Sequence, residues 1–371
     1  MQQEKFKVRG VVYVHLEGGA SPWDTITPLP ETAPNEYRGE FEPIQTAISG
    51  LTVSEHFPRI ATLADRISFI RAIDSLNSDH FKSTKNLLVQ NGNPLGTSVG
   101  STMNNAIIPY TFLNPEGQYQ NDAATIKDHH SELAMRIDWN TVEKRFKPPE
   151  VDTDASLQER HELLQFVDNL DLPGMSVATF TEMRNRAFSV LCGTGSYFDA
   201  FTISSKELER FGVDVASNEN QFGHAAALSS ALVQNGAGFV TIHHCEKNGW
   251  DMHNGKTLRE QLPELSSRID IGIAELIHDA VRYNFLVVCS SEFGRTPKIN
   301  GSGGRDHHNV HFAFGAGGLF QPGTVYGVLS TKGEITDERI TNPQLYRLVQ
   351  HAAGISEDNA DEFLSTNLLR Y

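Results

Sequence analysis

The chain has 371 residues, 39% of them hydrophobic and 21% charged, with a formal net charge of −15. That length supports one large domain with a substantial core, read here as a single domain over residues 1–371. The negative charge and the lack of any Lys/Arg-rich run exclude a nucleic-acid surface or an anionic membrane as partner, so an anionic substrate must be held by local arginines or bound metal.

The N-terminus, Met1 to Arg9, is polar and leads directly into a strand. It carries neither the apolar region of a signal peptide nor a membrane helix, so the expected location is cytoplasmic, or exported if the N-terminus has been trimmed. Val11 to Leu16 is an apolar run closed by Gly18 and Gly19, the pattern of a buried strand ending in a tight loop. Ser54 to Ala64 opens on an N-cap residue and repeats apolar side chains at helical spacing. A second strand, Ile67 to Ile73, a polar loop, Asp74 to Phe81, and a short helix near Ser83 to Val89 follow. From about 93 to 150 no period is sustained, and an irregular insertion with short helices is expected. Helices are then expected over Ala155–Asn169, Ser176–Leu191 and Asn218–Gln234, with a strand over Gly236–Ile242. Ile269, Ile273, Leu276, Ile277 and Ala280 mark the buried face of another helix, which feeds a strand at Phe285 to Ser290. Alternating strands and helices give an α/β sheet with helices on both faces. Cys192, Cys245 and Cys289 are widely spaced and odd in number, which does not suggest a disulfide framework.

Histidines and carboxylates gather where these strands end, the edge at which open α/β sheets place their active sites. Four clusters qualify. The first, His15 to Thr25, pairs Gly18-Gly19 with Asp24, either a hard oxygen ligand for a cation or a turn residue bonding its own backbone. In the second, Ser75 to Thr84, Asp79 and His80 precede a helix start. There Ser83 or Thr84 is either a hydroxyl nucleophile near the helix N-terminus or a plain N-cap.

The third cluster, His243 to Asn254, carries Asp251 and His253 two apart, a spacing that aims both side chains at one cation in an extended or turning segment. His243 and His244 read as partly structural, and Cys245 as either a soft ligand or a buried inert thiol. The fourth, Ser291 to His308, offers Glu292, Arg295, Arg305, Asp306, His307 and His308 around a glycine-rich loop. Arginine suits bidentate contact with phosphate, sulfate or carboxylate, so Arg295 and Arg305 are either anion clamps or pins for the loop. Carboxylate mixed with imidazole, in excess of one tetrahedral site, is the donor set of two-metal hydrolases. No Gly-x-Ser-x-Gly elbow, phosphate-binding Gly-Lys-Ser/Thr loop or His-Glu-x-x-His helix occurs.

Gly-Gly-x-Ser-x-x-Asp-Thr at 18–25, Tyr37 to Phe41, Ser54 to Pro58, Trp250-Asp251-x-His253, Ser291 to Pro297 and Gly304 to His307 together resemble the sulfatase-like bacterial family called domain of unknown function 1501. The resemblance runs from about residue 8 to the C-terminus and is weak between about 93 and 150. It implies an alkaline-phosphatase-like three-layer sandwich with a mixed, largely parallel sheet between helices, and phosphate- or sulfate-ester chemistry at one or two metals. On the same resemblance the metal ligands are Asp24, Asp79, His80, Asp251, His253, Glu292, Asp306 and His307. Ile26 to Pro30 departs from the Asp-Pro-Lys-Pro run usual in the family, Phe293 stands where a ligand would be, and no twin-arginine export signal precedes the first strand.

The expected function is therefore a metal-dependent hydrolase or group-transfer enzyme acting on a phosphate or sulfate ester, carried on a small molecule or carbohydrate. Divalent zinc is favoured, with manganese, iron or calcium as alternatives. Ser83 or Thr84 is the expected nucleophile, Arg295 steadies the anion, and His80 or His308 handles protons. The competing readings are a non-catalytic metal-containing binding or scaffold protein and a redox metalloenzyme.

Overall fold

The computed structural model describes residues 7–103, 106, 108–114, 134–138, 198–214, 216, 220–245, 249–355 and 367–370. The helices expected at 155–169 and 176–191, and Cys192, lie outside the described residues. Among the described residues nine strands form the main sheet: β1 Val11–Leu16, β2 Ser68–Asp74, β3 Ile108–Asn114, β4 Ala134–Asp138, β5 Ala237–His244, β6 Leu286–Ser291, β7 Val310–Gly317, β8 Val325–Tyr326 and β9 Ile340–Thr341. Their order is β8-β2-β7-β6-β1-β5-β3-β4, with β9 also pairing along β2. All pairings are parallel except those of β7, which runs against β6 and β2. The sheet is thus mixed and largely parallel.

Every residue of β1 is buried because both faces of this central strand are covered, which is why it reads as an unbroken apolar run. Its side chains alternate between two cores. Val12, Val14 and Leu16 join the cluster containing residues of α1 (Pro58–Thr62), α5 (Gln221–Gln234) and α6 (Gly255–Tyr283). Val11 and Tyr13 join the cluster containing residues of α2 (His80–Leu88), α3 (Leu95–Gly100) and α7 (Asn342–Ala352). A short α4, Ser205–Arg210, lies beside α5. The result is helix, sheet, helix. Among the described residues no helix is long and apolar enough to cross a membrane.

Four elements depart from the sequence reading for identifiable reasons. α1 begins at Pro58 rather than Ser54, since proline lacks the N–H that a helix interior needs but suits a first turn. The next two N–H groups, of Arg59 and Ile60, donate to the Asp270 carboxylate of α6. α2 starts three residues earlier than expected, because Asp79 caps it by accepting from Lys82 N at 2.9 Å. α6 spans 29 residues; its stripe runs back through Leu265, Leu262 and Leu258, where Pro263 obscures the pattern. Finally, β3 and β4 lie within the stretch that shows no sustained period in sequence.

Strand register positions the site. Leu16 at the end of β1 stands opposite both His244 and Ser291, so β1, β5 and β6 finish level. β7 enters at the same edge, with Val310 opposite Asp74, the last residue of β2. The segments 17–25, 75–79, 249–254 and 292–309 therefore open on one edge of the sheet.

Candidate metal centre

His80, Asp251 and His307 bring one donor atom each within 4.8 Å of one another. They come from the first residue of α2, the segment after β5 and the short ribbon His307–His308, which pairs with Gly294–Arg295. His253 completes the group: its Nε2 lies 2.8 Å from Asp251 Oδ1 and 3.1 Å from His307 Nε2. His307 Nε2 and His80 Nε2 stand 3.4 and 3.9 Å from the same Asp251 oxygen. Donors about 2.0–2.1 Å from a tetrahedral ion are separated by roughly 3.3 Å, so this spacing fits a single small cation.

The outer nitrogens explain why three imidazoles converge. His80 Nδ1 contacts Glu292 Oε1 at 2.7 Å, and His307 Nδ1 contacts the carbonyl of Ser78 at 3.0 Å. With Nδ1 donating outward, each ring turns Nε2 inward, where it would offer a lone pair to a cation in place of the proton it otherwise shares with Asp251, the orientation usual for metal-binding histidines. His253 turns the same way, its Nδ1 4.0 Å from Asp306 Oδ1.

Electrostatics reinforce the arrangement. Burial pushes the Asp251 carboxyl up, but hydrogen bonds from His307 and Arg295 and the charges of Arg295 and His253 outweigh it and hold it well below the usual carboxylate range. Arg295 is buried, donates to Asp251 Oδ1 at 2.5 Å and contacts His253 Nε2 at 3.2 Å. Glu292 is fully buried; the His80 hydrogen bond and the charges of His15 and His80 overcome its desolvation and bring it down to about 2. Burial lowers His80, and its hydrogen bond to Glu292 with the nearby carboxylate charges more than offsets this, raising it overall. Burial and the Arg295 charge lower His253.

Other residues expected at the site stand elsewhere. Asp24 is buried in a two-point pair with Arg305, Nε to Oδ2 at 2.7 Å and Nη2 to Oδ1 at 3.2 Å, so both its oxygens are taken. Asp79 is the cap of α2. Glu292 stands behind His80, accepting also from Gly18 N, rather than among the converging donors. Asp306 is exposed and accepts from Asn300. Ser83 Oγ donates to the carbonyl of Asn77 at 2.8 Å, and Thr84 is buried; neither hydroxyl contacts the cluster. His308 Nδ1 accepts from Val310 N, and burial lowers its pKa. Arg295 spends its nitrogens on Asp251, His253 and the carbonyls of Gly18, Gly19 and Arg305, so it holds these side chains in place rather than presenting a free fork to an anion.

A family model described as "Protein of unknown function (DUF1501)" matches residues 8–363. The chain belongs to that family. No curated protein sequence matches it. Solved structures similar to it include the lipoteichoic acid synthase LtaP from Listeria monocytogenes, at 10% identity and TM-score 0.40, covering 95% of this chain and 74% of that one. Alkaline phosphatase from the Antarctic bacterium TAB5 is 12% identical with TM-score 0.36, covering 95% of this chain and 100% of that one. The PsFucS1 sulfatase from Pseudoalteromonas sp. is 14% identical with TM-score 0.41, covering 97% of this chain and 69% of that one.

Sequence reasoning passed over His15 and Glu17 as candidate site residues. Both are buried, and burial pushes His15 down to about 4. A signal was available: His15-x-Glu17 and His243-x-Cys245 are two pairs of metal-ligand types at the ends of neighbouring strands.

Proposed function

We propose that this DUF1501 protein holds a divalent metal ion with His80, Asp251, His253 and His307 and hydrolyses or transfers a phosphate or sulfate ester. The observation that carries the reading is the convergence of three imidazole Nε2 atoms on one Asp251 oxygen, with the outer nitrogens of His80 and His307 tethered. A divalent ion there would supply Lewis-acid polarisation of the ester oxygen. One carboxylate and three neutral rings leave a dication under-neutralised, and the Arg295 guanidinium adds further positive charge. The mouth thus attracts an anion although the whole chain carries −15. Arg295 fixes Asp251 and Glu292 fixes His80, so the ligands need little reorganisation. With Ser83 bonded to Asn77 O and Thr84 buried, water is the attacking group in this reading.

The test is metal analysis of the purified protein with turnover of aryl phosphates and aryl sulfates in the presence of zinc, manganese, iron or calcium. Asp251→Ala and His253→Ala should each weaken metal binding by at least about tenfold and lower turnover in step. Metal-free protein with turnover unchanged in both variants would sink the idea. One observation favours a second reading, a non-catalytic binding protein: Arg295 already contacts both Asp251 and His253, placing a side-chain cation against part of the donor set. On that reading the protein takes up no metal and the two variants lose stability instead.

A further inference from the structure

We propose that Glu17, His243 and Cys245 form a second metal site, buried and chemically distinct from the one around Asp251. The three residues present a carboxylate oxygen, an imidazole nitrogen and a thiol sulfur within 4.8 Å of one another, and all three are buried. The juxtaposition follows from strand geometry. β1 and β5 are parallel neighbours with His15 opposite His243 and Leu16 opposite His244. Glu17 extends this pairing, its N–H donating to the His244 carbonyl at 3.1 Å while its own carbonyl accepts from Trp250 N at 2.8 Å. Since side chains alternate along a strand, His15 and Glu17 share one face, and His243 and Cys245 share the same face of the adjacent strand. Four ligand-type residues thus occupy a two-by-two square. The His15 and His243 rings stack with centroids 5.5 Å apart, and His243 Nε2 contacts Glu17 Oε2.

Burial gives the square its chemistry. A carboxylate out of water needs a compensating charge; Glu17 Oε2 has the close approach of His243 Nε2, whereas Glu17 Oε1 and both ring nitrogens of His15 have no hydrogen-bond partner among the described residues. An imidazolium at His243 would balance Glu17 but would give the Cys245 sulfur beside them no part in the charge balance. A divalent ion takes all three donors. One carboxylate and one thiolate neutralise a dication, the condition for a dry site, while imidazole completes a mixed oxygen, nitrogen and sulfur set suited to zinc and poorly suited to calcium or magnesium. The centre around Asp251 has a single carboxylate and no sulfur, so it keeps net positive charge and remains open to an anion. The buried site serves structure, tying the end of β1 to the end of β5 directly behind the loop that carries Asp251.

Cobalt(II) tests this because thiolate coordination gives a near-ultraviolet sulfur-to-cobalt charge-transfer band that oxygen and nitrogen ligands do not. Full-length protein produced with cobalt(II) as the added transition metal should show the band. Cys245→Ser should abolish it and lose about one equivalent of metal, whereas Cys289→Ser and His307→Ala should keep it. Glu17→Gln, which retains the thiol, should lower occupancy of the thiolate site by about ten- to a hundredfold and supplies a second readout if Cys245→Ser does not fold. Absence of the band in the unsubstituted protein, with or without bound cobalt, would overturn the proposal, as would its persistence in Cys245→Ser. Because His307→Ala removes a ligand of the other centre, loss of the band in that variant alone would assign the signal there and equally refute the second site.

Discussion

Asp24 is the residue on which sequence and structure differ most sharply, and replacing it or its partner separates a metal ligand from a structural ion pair. Arg305→Met removes a buried guanidinium that makes two contacts to Asp24, at 2.7 and 3.2 Å, and also donates to the carbonyls of Tyr37, Thr296 and Pro297. Asp24 would remain buried as a carboxylate with only the Ser21 hydroxyl, 2.5 Å away, as a side-chain donor. Breaking one side of such a pair costs about 3–5 kcal/mol, because a charge is left without compensation in a dry environment. Asp24→Asn should cost less, about 2–3 kcal/mol, since Arg305 keeps its three carbonyl partners. The double variant should cost less than the sum, as the second replacement removes the charge orphaned by the first. Urea unfolding followed by tryptophan fluorescence measures all three, and Trp23, bonded to the Arg295 carbonyl, reports from the same region. Metal content is the second axis: Asp24→Asn should retain what the unsubstituted protein binds, whereas Asp251→Ala should not. A loss below about 1 kcal/mol in Arg305→Met, or metal loss in Asp24→Asn matching that of Asp251→Ala, would refute the assignment of Asp24 to Arg305.

Glu292→Gln weakens the outer tether of His80 without touching the converging donors, so metal affinity should fall by about 10- to 100-fold in titration against a chelator. In metal-stripped protein the pair titrates in a defined window. His80 lies above its ordinary 6.5, so its stabilisation is complete below 6.5 and is lost as pH rises through the raised value. Glu292 lies at about 2 against an ordinary 4.5, so its stabilisation is present above 4.5 and lost as pH falls through about 2. Stability from the pair should therefore be greatest between about 4.5 and 6.5, and Glu292→Gln should flatten the profile measured by thermal unfolding. Ser83→Ala should leave any ester turnover within about twofold, because its hydroxyl is committed to Asn77 O; abolition of turnover would restore a serine nucleophile. Gly19→Ala should cost about 1–3 kcal/mol and weaken metal binding, since φ is +73° and a Cβ would lie 2.4 Å from the Phe293 ring, displacing the carbonyl that holds Arg295.

Much of the fold was legible because burial on both faces of a strand leaves an unbroken apolar run in the sequence. The apolar runs that became β1, β5 and β6 are covered on both faces, and each was found to within one or two residues. β7 begins beside His307–His308 and contains Gly315 and Gly317, which interrupt the run, so it was not read as a strand. The N-terminal half of α6 was hidden by Pro263 although its leucines keep the helical stripe.

The site was legible by residue type but not by partner. Period and composition locate carboxylates and histidines at strand ends; they do not say which arginine reaches which carboxylate, whether 44 residues away, as for Arg295 and Asp251, or 281, as for Arg305 and Asp24. That pairing decides the outcome. Arg305 closes on Asp24 at two points in a dry interior and removes it from the donors, whereas Arg295 touches one oxygen of Asp251, whose side chain remains 34% exposed and faces three imidazoles. The two arginines thus act oppositely on two carboxylates that look equivalent in sequence: one pair locks the first loop to the glycine-rich loop, and the other holds Asp251 ionised where a cation can reach it. Glu292 follows the same logic from the other side. Its burial makes it a poor ligand for an ion at the mouth and a strong acceptor for His80, so this carboxylate holds the imidazole ring in place instead of facing the converging donors.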